Sequence, residues 1–143
     1  MEVKGTIKAT GKLQFVLNGR VVKEVDNLVV DVGKDWVAGM MKGVGAPMSH
    51  MEVGSGTTVA SAGQTALVSA IDRNALTVAG GTVTANTIQF ACTWGDGDGN
   101  GALTEAGLFD NSVGGNMLAR TVFDVINKGA GDVMTIVWTI TVA

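Results

Sequence analysis

The segment from Val133 to Val142 constrains this chain more than any other. Met134, Ile136, Trp138, Ile140 and Val142 alternate there with Val133, Thr135, Val137, Thr139 and Thr141. A period of two sends successive side chains to opposite faces of a strand, so one face of this segment is wholly apolar and has to be covered by another layer. Leu108-Phe109 and Met117–Phe123 read as further strands. The stretch from Thr104 to Val142 is therefore a set of strands built to pack and pair.

The same alternation opens the chain. Val3, Gly5, Ile7 and Ala9 alternate with polar residues, and Leu13, Phe15 and Leu17 follow at the same period. Residues 1–10 are expected to form an edge strand or an extended N-terminal arm. Asn18-Gly19 then separates two apolar runs, and a type I′ hairpin turn needs positive φ at both of its central residues. A hairpin is expected there, with Arg20–Val25 as its second strand and Leu28–Val32 as the next. Trp36, Val37, Met40 and Met41 have helical spacing, which predicts one short helix of about ten residues ending at Gly43 or Gly45. Met48–Val53 alternates once more. The Gly- and Thr-rich stretch 54–65 reads as a long loop of the kind that wraps or binds something, while 66–74 is open between a helical turn and a strand. Gly80-Gly81 is expected to join Leu76–Val78 to one long strand, Val83–Trp94, with a Gly-rich hairpin loop at 95–101.

The count is eight to ten strands and one helix. The expected fold is mainly β, a single domain spanning 1–143 with a β-sandwich or barrel-like architecture. The composition agrees with that: 21 of 143 residues are glycine against a typical ~7%, with one proline and no glycine period, so the glycines punctuate a folded chain. A formal charge of −3 with scattered Lys and Arg gives no basic surface for nucleic acid. One cysteine, Cys92, cannot staple the fold internally, which suits synthesis in a reducing cytoplasm. No apolar run has the ~18–20 residues of a membrane span, and the N-terminus lacks a signal-peptide layout.

The candidate chemistry is thin. Asp96-Gly97-Asp98-Gly99-Asn100-Gly101 matches the first half of a calcium loop, but its twelfth position is Gly107 where a bidentate Glu belongs, and its flanks read as strands. A solvated hairpin loop is the preferred reading. His50 is the only histidine. Ser49 and Glu52 complete a triad on paper, yet neighbouring strand residues point to opposite faces, so Ser49 is not expected to meet His50. Cys92 reads as an inert buried thiol and the methionines at 40, 41, 48 and 51 as core filling. Asp110, Asp124, Arg73 and Arg120 are charges without an evident partner, Arg120 being a candidate for pairing in an interface. No catalytic, cofactor-binding or metal residues are assigned, and an enzyme is not expected.

Three segments taken together carry a resemblance: Met51–Thr58 with Thr65-Ala66-Leu67, Thr104–Phe109, and Gly115–Thr121 running to Ile136–Ile140. Their order resembles small virion structural proteins of tailed bacteriophages, among them capsid cement or decoration proteins and tail-fibre or collar modules. The resemblance implies a β-rich fold made in the bacterial host cytoplasm and located in the virion. It implies action through assembly with the major capsid protein or other virion proteins, and a homo-oligomer. A capsid decoration subunit is the leading expectation, because neither long repeats nor coiled segments mark a fibre. A tail, collar or fibre-attachment module is the first alternative. A calcium- or glycan-binding β-sandwich, using the 96–100 loop with Trp36, Trp94 or Trp138, is the second.

Overall fold

A computed structural model describes residues 7–143; most of the edge strand or arm expected over 1–10 lies outside them. Ten strands form two five-stranded antiparallel sheets, and one helix lies beside them. The chain runs through β1 (Ala9–Leu17), β2 (Arg20–Asp26), β3 (Leu28–Val29), α1 (Asp31–Met41), β4 (His50–Gly54) and β5 (Ala70–Ala75). It continues through β6 (Thr82–Thr84), β7 (Thr87–Trp94), β8 (Gly101–Phe109), β9 (Met117–Lys128) and β10 (Met134–Val142). One sheet has the order β2-β1-β10-β7-β6 and the other β3-β9-β8-β4-β5. The mainly β, sandwich-like fold expected from the strand count is the fold observed.

The last strand is the spine of the first sheet. It pairs with β1 along its whole length and with β7 on its other side, Trp138 standing opposite Leu13 and Phe90. Met134, Ile136, Trp138 and Ile140 are buried, and with Leu13, Phe15, Phe90, Cys92 and Trp94 they make one half of the core. Met51, Val53, Leu103, Leu108, Leu118 and Ile126 of the second sheet make the other half. The Asn18-Gly19 hairpin forms as expected, with φ of 50° and 79° at the two turn residues. Asn18 also ties this turn to the one before β10: its Nδ2 donates to Asp132 Oδ1 at 2.9 Å and its Oδ1 accepts from the Val133 amide.

Four local expectations are corrected. The strand expected over Leu28–Val32 stops at Val29, and α1 starts two residues later because Val30 and Asp31 donate their amides to Leu118 O and Ala62 O, partners far away in sequence. Met41, expected in the core, is exposed: the helix lies closest at Gly33, which sits on the Leu118 carbonyl with no room for a Cβ, and Trp36 packs half-buried against the core. The long strand expected over 83–94 is two strands turned at Ala85-Asn86, where Ala85 has φ 52° and Thr87 Oγ1 donates to Thr84 O. The loop at 95–101 is no hairpin; it carries the chain from β7 in one sheet to β8 in the other.

Candidate functional site

The outer face of the second sheet carries the most organised polar cluster among the described residues. In β8, Glu105, Gly107 and Phe109 share a face, and Arg120 of β9 stands directly opposite Gly107 in the ladder. Glu105 and Arg120 are thus diagonal neighbours, close enough for long side chains to meet. Arg120 donates from Nε and Nη2 to Glu105 Oε1 at 3.1 and 3.0 Å, and both residues have zero solvent exposure.

What covers them is the segment 55–69, wrapped over the sheet. The Glu105 carboxylate accepts the backbone amides of Gly56 (2.7 Å), Ser69 (2.7 Å) and Val68 (2.9 Å). From the other side, Arg120 Nη1 donates to Thr58 O and to Gln64 Oε1, each at 2.9 Å. One ion pair therefore holds both ends and the middle of the loop. The loop sequence is shaped by it: a Cβ at Gly56 would strike the Glu105 carboxylate. Leu67 completes the cover, packing with Val30, Phe109 and Met117 in a small second core.

Burial pushes the Glu105 carboxyl up, but the amides of Val68 and Ser69, the Arg120 guanidinium and the Gly56 amide outweigh it. The group is held below the ordinary carboxylate value. A buried carboxylate with this many donors is a fixed anion, with no proton to give or take near neutrality. Arg120 pairs within its own chain, not across an interface. Arg73 is also satisfied internally: its Nε donates to Glu52 at 2.9 Å, its guanidinium lies 3.7 Å from the Phe109 ring centre, and it binds the carbonyls of Asn111 and Gly114. Asp110 holds the same loop through the Asn116 amide and side chain.

The calcium-like loop has a cation of its own. Lys128 is 2% exposed, and its ammonium donates to Gly95 O at 2.9 Å and Asn100 Oδ1 at 3.1 Å. The acids Asp96 and Asp98 point to solvent, and no cluster of three His, Cys, Asp or Glu side chains suited to a metal is found among the described residues.

Ser49 and His50 do meet, contrary to the alternation argument: Ser49 Oγ is 2.7 Å from His50 Nδ1. Ser49 precedes the first residue of β4, so strand alternation does not govern its side chain. Glu52, the third member on paper, is engaged by Arg73. Cys92 is buried and faces the carbonyls of Asn74 and Ala75; burial first, and the Asp72 charge second, push its thiol up to about 12. Trp94 and Trp138 are wholly buried, so neither offers an indole face to a sugar. Met48 and Met51 fill the core as expected, whereas Met41 does not. Among the described residues, no helix is long and apolar enough to cross a membrane.

Comparison with known protein families, with curated proteins and with solved structures found no match.

Proposed function

We propose that this chain is a virion structural protein of a tailed bacteriophage, and within the virion a capsid decoration subunit that binds between major capsid subunits. The carrying observation is the clamped loop. Val59 and Val68 are 80% and 54% exposed on a segment whose backbone is fixed from beneath by Glu105 and Arg120. Aliphatic side chains held out on a rigid loop lose little entropy when a partner covers them, and their burial contributes about 25 cal/mol per Å². Preorganisation of that kind suits a binding surface. The polar investment of the site goes entirely into shaping the protein's own backbone, which favours action by assembly over a reaction.

The mechanism is linkage. A subunit that binds the assembled shell and not its separated parts stabilises the shell by mass action. Closed symmetry is the usual arrangement for such subunits, so a homo-oligomer is part of the reading. Co-sedimentation with purified heads tests it: the protein travels with heads, and Val59→Asp with Val68→Asp abolishes this while the fold stays intact. Gold label confined to tails would reject decoration in favour of a tail or collar module.

A further inference from the structure

The clamp beneath the 55–69 loop has a counterpart. Arg73, Glu52, Gly107 and Arg120 stand directly opposite one another on β5, β4, β8 and β9, one row across the outer face of the second sheet. An arginine ends the row on each side. Arg120 reaches along β8 to Glu105 and the 55–69 loop. Arg73 leans the other way, over Phe109 at 3.7 Å from its ring centre. It keeps its Nε on Glu52 and donates from Nη1 to Asn111 O at 3.0 Å and Gly114 O at 2.8 Å.

The loop between β8 and β9 is therefore fixed as 55–69 is, by backbone carbonyls held on a guanidinium. Asp110 secures it further through the Asn116 amide and side chain, and a Cβ at Gly115, where φ is 75°, would strike that carboxylate. On this loop Val113 is 82% exposed, as far out as Val59 on the other. The two loops adjoin, because Leu67 of the first packs against the same Phe109 that Arg73 covers.

Neither 55–69 nor 111–116 contains Asp, Glu, Lys, Arg or His, in a chain that is 16% charged. The ions beneath them are turned inward: Glu105 and Arg120 have no exposed side chain, and those of Glu52 and Arg73 are 12% exposed. Depletion of charge, more than bulk apolarity, marks the centre of a protein–protein contact. Here it coincides with aliphatic side chains on backbone that is already fixed. We propose that the two loops form one contact surface, with Val113 an anchor beside Val59 and Val68, and that this surface takes an uncharged apolar patch of its protein partner. The partner is the major capsid subunit of the reading above, on which this assignment rests. Neutral loops select a neutral patch, because a charge brought against them loses its water with nothing in exchange.

The experiment is co-sedimentation of the full chain with purified heads that lack it, at about 0.05 and 0.5 M sodium chloride, a range over which exposed charges become screened. Affinity should change by less than about twofold between the two. Val113→Asp should weaken it by about tenfold or more, and Val113→Ala, which inserts no charge, by about three- to tenfold. Both variants should keep the urea midpoint of the unaltered protein, since the side chain is exposed. Undiminished binding by Val113→Asp, with Val59→Asp and Val68→Asp still abolishing it, overturns the assignment and leaves the decoration reading standing. A steep loss of affinity with salt contradicts the uncharged patch. No sedimentation of the unaltered protein rejects the decoration reading and this surface with it. Self-association of the isolated protein that Val113→Asp breaks also overturns the assignment, giving the surface to a second copy.

Discussion

The Arg120 guanidinium delivers two hydrogen bonds to a single oxygen of Glu105, Oε1, while the other oxygen, Oε2, is left to the amides of Gly56 and Ser69. The division of labour makes the carboxylate a bridge between a β-ladder and a loop with no ladder of its own. Replacing Glu105 with Gln keeps the shape but leaves Arg120 buried and uncompensated, a loss of about 3–5 kcal/mol. Urea unfolding should show the midpoint falling with little change in slope, and amides 56–69 should exchange fastest. The double change Glu105→Met with Arg120→Leu should recover part of that stability.

The same group sets an acid limit. Its folded value lies below the ordinary 4.5, so the unfolded chain takes up a proton at a pH where the folded protein does not. The stabilisation is complete above the ordinary value and is lost as pH falls through the depressed folded one. Asp132, lowered by Asn18, the Gly129 amide and the Lys128 charge, acts in the same direction. Unfolding free energy followed from neutral pH down through the carboxylate range should fall, and Glu105→Gln should flatten that fall.

Lys128→Met tests whether the ammonium is the cation of the 95–101 loop. It removes the buried ammonium that donates to Gly95 O and Asn100 Oδ1, and hydrogen bonds to a charged group contribute about 1.5–3 kcal/mol. Hydrogen exchange in the loop should accelerate. Calcium should not restore protection, and calorimetry on the unaltered protein should give no micromolar calcium isotherm.

Cys92 should be silent toward thiol reagents. A buried thiol raised to about 12 carries almost no thiolate at neutral pH, and the thiolate is the nucleophile. Labelling of the native protein should proceed no faster than unfolding, and in denaturant it should be complete within the mixing period.

The elements that could be read from the sequence are those whose cause is local. Met134–Val142 announces its strand by alternation, and Asn18-Gly19 its turn by the need for positive φ. The start of α1 could not be read so, because Leu28 to Val32 is an apolar, mainly β-branched run, and what ends the strand is the docking of Val30 and Asp31 onto Leu118 and Ala62. The Ala85-Asn86 turn was hidden within a threonine-rich run, and Asn86 proves its worth only by pairing with Val142 across the sheet. The Glu105–Arg120 clamp did leave a signal: one acid and one base, each alone within an apolar strand segment, on two strands joined by a turn. Their meeting depends on a ladder register shifted between Leu103 and Glu105, which no local pattern specifies. The Ser49–His50 contact was missed because the boundary of β4 falls between the two residues.

The proposal that this protein reinforces a phage head is tested most directly by heating particles that carry it and particles stripped of it, and recording the temperature at which packaged DNA escapes. Decorated particles should hold their DNA to a higher temperature, and adding the purified protein back should restore the difference, whereas the Val59→Asp, Val68→Asp variant should not. Release at the same temperature with and without the protein would contradict the account.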